Sequence, residues 1–193
     1  MPVKNQISIF FKYIGNIRSF KSHDWVIYIS WVGLMLGLLG SVLYFIIQGQ
    51  SHGVIFPDYI WCIPFGICTF TMAIAIDTIG HLTLYREALR QGEDLVHKIT
   101  IFAGVTSTLG LCCAYNWPGL FKIPSLVMVT LSILYSLVDE ALHWNRYLRS
   151  QSDSVEMISH FFILFGHLTM ISAWTWWFLT GYQGVADTLK VLF

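Results

Sequence analysis

Histidines and carboxylates recur at helical spacing within apolar stretches of this sequence. Three pairs are three or four residues apart and one more histidine follows: Asp77 and His81, Glu140 and His143, Glu156 and His160, then His167. On an α-helix, residues four apart lie about 40° apart and residues eleven apart about 20° apart, so each set shares one helix face. These faces can present imidazole nitrogens and carboxylate oxygens to neighbouring helices.

Ionisable side chains are costly inside a membrane, at ~2.5 kcal/mol or more for an Asp at mid-span. A divalent metal ion offsets this cost, because neutral imidazole and carboxylate are its ordinary ligands. We therefore expect the seven residues to be metal ligands, and their number suits two ions better than one. Asp139, His97 and Asp94 are expected either to orient these ligands or to bind the metal themselves.

The spacing resembles that of the non-haem di-iron carboxylate four-helix-bundle proteins, which include membrane-associated oxidases. The segment Glu140-Ala-Leu-His143 reproduces their Glu-x-x-His motif, whereas the pairs at Asp77 and Glu156 contain one extra residue. The higher histidine content is similar to that of membrane desaturases and hydroxylases, although their His-x-x-His-His boxes are missing. The resemblance implies two iron ions, with carboxylates as bridging or terminal ligands.

The same resemblance implies an oxidoreductase, either a hydroxylase, a desaturase or an oxidase, that acts on a lipid-phase substrate at the cytoplasmic side. Its expected partners are membrane lipids, that substrate and an electron-donor protein. Lys and Arg equal Asp and Glu in number, so no nucleic-acid partner is expected.

Three other functions compete with this one. A b-type cytochrome subunit would use two of the histidines to bind haem b, and Gly80 and Gly166 beside His81 and His167 would admit the macrocycle, but the adjacent carboxylates argue against it. A membrane zinc hydrolase needs three histidines and an Asp around an activated water, and the surplus of carboxylates argues against it. A transporter would need polar groups across the whole membrane, whereas here they cluster at one face.

The amino-acid composition predicts the kind of helices that must position these residues. The 193 residues are 55% hydrophobic and 11% charged, far below the roughly 25% charged residues of soluble domains. We predict an all-α integral membrane protein that forms a single domain over residues 1–193. About five spans of about 20 residues fit this length, four of them forming a bundle around the polar site. The predicted spans are residues 25–47, 59–84, 97–115, 124–148 and 155–180.

The first 22 residues predict an interfacial amphipathic segment, because apolar residues recur at helical spacing between basic ones. The distribution of Lys and Arg along the chain predicts the membrane topology. Nine of the eleven lie in the amino-terminal segment and in the loops after the second and fourth spans, and the other two are Lys122 and Lys190. The positive-inside rule therefore predicts a cytoplasmic amino terminus and a carboxyl terminus outside.

Fusing a reporter that is active only outside the cytoplasm to each terminus tests this topology. We expect activity from the carboxyl-terminal fusion and none from the amino-terminal one, because the positive charge holds the amino terminus inside. The reverse pattern would overturn the predicted orientation.

Overall fold

The computed structural model describes residues 3–84, 91–149 and 154–193, and gives side chains from residue 7 in the first segment and from residue 95 in the second. This part of the chain contains α-helices and short 3₁₀ turns but no strand. The α-helices are α1 Val3–Gly15, α2 Ser22–Ser51, α3 Cys62–Thr83, α4 Gln91–Asn116, α5 Pro118–Leu148, α6 Ser154–Leu179 and α7 Val185–Leu192.

Five of these helices are long and apolar enough to cross a bilayer. They are α2, α3 with the 3₁₀ turn Asp58–Trp61 before it, α4 from Leu95, α5 and α6. Each exceeds the roughly 20 residues that a bilayer core requires. The predicted all-α membrane fold with five spanning helices is confirmed.

Helix ends differ from the predicted bounds where capping chemistry decides them. Helix α2 begins at Ser22 rather than near residue 25, because the Asp24 carboxylate accepts a hydrogen bond from the Lys21 backbone N–H at 2.9 Å. Helix α5 begins at Pro118 rather than near residue 124, because a proline is well tolerated in the first turn. Pro124 consequently lies inside α5.

Helices α3 to α6 form a four-helix bundle. Helix α3 lies along α6, and α4 along α5, while α2 packs against α3 and against the short helix α7. Helix α7 was not expected from the sequence. Large apolar side chains such as Ile63, Ile67 and Ile171 are fully buried between these helices.

The two ends of the bundle differ. The site end of the bundle is defined here as the end at which α3 and α5 finish and at which α4 and α6 begin. There α1 packs on the bundle through Tyr13, which is buried against Ile79 of α3 and Val155 of α6. The predicted amphipathic segment thus forms helix α1 and a 3₁₀ turn over Asn16–Ser19.

Two glycines let α3 and α6 approach to backbone contact. A Cβ added at Gly166 would lie 2.6 Å from the Phe70 backbone nitrogen, and one at Gly66 would lie 2.6 Å from the Met170 backbone nitrogen. Small residues at such crossings allow close packing of membrane helices. This contact brings the polar residues of α3 and α6 within reach of each other.

Replacing Gly166 with Ala is expected to destabilise the protein by about 1–3 kcal/mol, because the new methyl group would collide with backbone that cannot rotate away. Unfolding in mixed detergent micelles, followed by circular dichroism, measures the change. Gly37→Ala is the matched control, since Gly37 is on α2 and a Cβ there meets nothing within 4 Å. Equal stability of the two variants would show that the α3–α6 crossing is not tight.

Candidate metal centre

Four helices bring ionisable side chains together at the site end of the bundle. Helix α3 contributes Asp77 and His81 near its last turn, and α6 contributes residues of its first two turns. Helix α5 contributes the residues of its last three turns, and α4 contributes His97. Ligand atoms from these residues form three groups, each with its atoms within 4.8 Å of one another.

The first group consists of Asp77, His81 and His160. The two Asp77 oxygens face different histidines, with Oδ2 at 3.3 Å from His81 Nε2 and Oδ1 at 3.2 Å from His160 Nε2. Asp77 Oδ1 and His160 Nε2 are buried without a hydrogen-bond partner among the described residues, despite their proximity. Ligand atoms bound at about 2.0–2.1 Å to one tetrahedral ion lie about 3.3 Å apart, so this spacing fits a shared cation.

The second group consists of His97, Asp139 and His143. His97 Nδ1 lies 3.3 Å from Asp139 Oδ2, and His143 Nε2 lies 3.8 Å from Asp139 Oδ1. Asp139 Oδ1 is buried and has no hydrogen-bond partner in the described part of the chain. Like the first group, this one offers two imidazoles and one carboxylate.

The third group shares members with the other two and contains a fixed positive charge. His143 Nδ1 lies 3.3 Å from Glu156 Oε1, and His160 completes the group. The guanidinium of Arg146 is in contact with the Glu156 carboxylate, and its Nη2 lies 2.9 Å from His143 Nδ1. Glu156 is fully buried, and Arg146 is nearly so.

The imidazole rings link the groups into one centre. His143 and His160 are stacked, with ring centroids 3.3 Å apart. The His81 ring centroid lies 6.3 Å from that of His143 and 5.4 Å from that of His97. The first and second groups, which contain the two Asp carboxylates, are therefore adjacent.

With neutral histidines, the protein alone does not balance the charge at the centre. Four carboxylates are buried there, and among the described residues Arg146 is the one buried Lys or Arg. The four are Asp77, Asp139, Glu140 and Glu156. Burying a charge without a partner costs several kcal/mol, so this arrangement favours the binding of cations.

The structure brings together five of the seven expected ligands and separates two from them. Glu140 is buried with its Oε1 unbonded in the described region, but it belongs to none of the three groups. His167 lies about two turns further along α6, where its Nε2 is 3.3 Å from Ser132 Oγ. The side chain of Asp94 lies outside the described residues.

Asp139 and His97 belong to a group that could hold a metal ion, which is one of the two roles expected of them. One residue has a position that differs from the expected one. Arg146 was counted only as a loop charge, yet it is buried within α5. Its spacing of three residues after His143 was the available signal, since such residues share a helix face.

The chain matches no protein-family model, and the searches of curated proteins and of solved structures found no match to it. The resemblance to di-iron proteins therefore stays a hypothesis, and the centre is interpreted from its geometry.

His160→Ala and His167→Ala form a matched pair, because both histidines are buried on α6 and only His160 belongs to a ligand group. We expect His160→Ala to lower bound metal by about 10-fold or more, since it removes a direct ligand, and His167→Ala to leave it unchanged. Metal analysis of the two purified proteins in detergent measures the difference. Equal losses in both variants would contradict the grouping.

Proposed function

We propose that this chain is a membrane metalloenzyme in which two iron ions support an oxidation–reduction reaction of a lipid-phase substrate. The observation that carries the proposal is the pair of adjacent groups, each with two imidazoles and one Asp carboxylate, at one end of an apolar bundle. Two His and one carboxylate with open positions are typical of non-haem iron(II) oxygenases.

Each ion would have its own ligand group. Asp77, His81 and His160 would hold one, and His97, Asp139 and His143 would hold the other. Iron held in this way supplies the electron-transfer and O₂ chemistry that amino-acid side chains lack. Three protein ligands would leave open coordination positions on each ion, where substrate could bind.

Charge balance supports two ions rather than one. With all four carboxylates ionised and the histidines neutral, the carboxylates and Arg146 would leave an excess of about three negative charges, which two divalent cations would more than neutralise and one would not. The expectation that several carboxylates serve as metal ligands is consistent with this balance.

The chain's own residues would control access to the centre. Apolar bundle helices exclude water on the α5 and α6 side, where His143 and His160 are almost fully buried. The side chains of His81 and His97 are 16% and 31% exposed, so the α3 and α4 side is more open. We infer that substrate and an electron-donor protein approach beside α3 and α4 at the site end of the bundle, the end that the positive-inside rule assigns to the cytoplasm.

Zinc hydrolysis is the second candidate. One specific observation favours it: a site with three protein ligands and an open position is also the usual form of catalytic zinc. The b-type cytochrome is less well supported, because the histidine rings stand against each other and against carboxylates rather than apart around a macrocycle.

Purified protein is expected to contain about two iron ions per chain and no Soret band, because two of the ligand groups would each hold one ion and haem is not required. After anaerobic reduction the iron-loaded protein should consume O₂, measured with an oxygen electrode, whereas zinc-loaded protein should not. A haem spectrum, or zinc as the sole metal with hydrolytic activity, would overturn the di-iron proposal.

Two substitutions test the division of ligands between the ions. Asp77→Asn and Asp139→Asn should each reduce the metal content by about one ion per chain, because each removes the one carboxylate of its group. Asp58→Asn is the control, since Asp58 is exposed at the opposite end of the bundle. Loss of both ions in each variant would indicate a single shared carboxylate-bridged site instead.

A further inference from the structure

Helix α1 and the segment that joins it to α2 carry basic residues and no exposed acidic ones. The first 23 residues contain four Lys or Arg and no Asp or Glu. The side chains of Lys12, Arg18 and Lys21 are exposed. The first carboxylate in the chain, that of Asp24, is buried, and it accepts a hydrogen bond from the Lys21 backbone N–H. The segment therefore presents positive charge that no acidic residue within it offsets.

The same segment also exposes large apolar side chains. Ile7 and Phe11 are 53% and 68% exposed, and they share one face of α1 because they are four residues apart. Another face of α1 is fixed to the bundle by Tyr13, which is buried against Ile79 and Val155. A helix that turns apolar and basic side chains away from the protein is typical of helices that lie in the membrane interface.

Aromatic side chains place the end of this segment at the level of the lipid headgroups. Trp25 and Tyr28 lie in the first two turns of the spanning helix α2. The Phe20 ring packs on both, with its centroid 5.3 Å from that of Trp25 and 5.5 Å from that of Tyr28. Trp and Tyr concentrate where a spanning helix meets the headgroups. Arg18 and Lys21, within two residues of Phe20, are therefore close to the depth of lipid phosphate groups.

We propose that the outer face of α1, together with the segment up to Lys21, binds anionic phospholipids. Ile7 and Phe11 enter the boundary between headgroups and acyl chains, and the three exposed cations contact headgroup phosphates. Anionic lipids are favoured over zwitterionic ones because basic residues at a membrane surface are attracted to its net negative charge. An acidic soluble protein could also meet the cations, but it would not account for the exposed apolar pair at headgroup depth.

The lipid selectivity of the full chain in detergent tests this proposal. The protein is equilibrated in mixed micelles with equal amounts of dioleoyl phosphatidylglycerol and dioleoyl phosphatidylcholine and is then repurified, and the bound lipids are quantified by mass spectrometry. We expect about 5-fold more phosphatidylglycerol than phosphatidylcholine, the factor that one cation contributes near an anionic surface. Lys12→Gln combined with Arg18→Gln should lower this ratio by about twofold or more, because two of the exposed cations are lost.

A control variant removes the same charge elsewhere. Lys122→Gln combined with Lys190→Gln also removes two exposed cations, but these lie on α5 and α7 at the opposite end of the bundle. We expect its lipid ratio to equal that of the wild type. An equal fall in both double variants would show that the net charge of the chain, and not α1, selects the lipid, and the proposal would be wrong.

Inorganic phosphate distinguishes a lipid surface from a simple anion site. Replacing chloride by phosphate at constant ionic strength should leave the lipid ratio unchanged, because free phosphate has no acyl chain for Ile7 and Phe11 to contact. Displacement of phosphatidylglycerol by phosphate would contradict the proposal. Equal amounts of the two lipids on the wild type would do so as well, and would leave the cations available to an acidic protein. None of these outcomes depends on bound metal, so failure here would leave the proposed two-iron function untouched.

Discussion

Carboxylates buried in an apolar helix bundle are the constraint on which the rest of this structure depends. Asp77 and Glu156 lie where water cannot solvate them, and each meets a nitrogen from another helix. The interior of the assembled bundle offers no water as a partner, so the helices must bring compensating groups to them. The arrangement at the site end follows from this requirement, with one histidine from each of the four helices α3 to α6 and one guanidinium turned inward.

The compensating groups reach the carboxylates only because the helices pack closely at a point away from the charged residues. Gly66 and Gly166 allow backbone contact between α3 and α6, about three turns from Asp77 on one side and two turns from His160 on the other. Because helices are stiff, that contact limits how far the ligands can separate. A site on rigid elements holds its geometry better than one on loops. The apolar half of the bundle thus helps to set distances in the polar half.

The spanning helices were predictable because length and hydropathy alone decide which segments a bilayer accepts. The pairs Asp77 with His81 and Glu156 with His160 were also identifiable, since residues four apart must share a helix face. It was harder to predict which of two adjacent residues points into the bundle. Asp139 and Glu140 lie about 100° apart on α5, and only the packing of α4 against α5 brings Asp139 to His97. Periodicity likewise could not show that His167, on the same face as Glu156, lies too deep to join the groups, or that Arg146 is buried rather than solvated.

The pairing of α3 with α6 has a consequence for how the protein is made. These helices are separated in the chain by the α4–α5 hairpin, so ribosomal synthesis completes Asp77 and His81 long before His160 exists. During that interval the polar side chains at the end of α3 must be stabilised without α6. Its polar residues lie within about two turns of the helix end, where they can stay hydrated at the membrane surface until α6 arrives. Insertion order and the placement of the charged groups near one end of the bundle are therefore compatible.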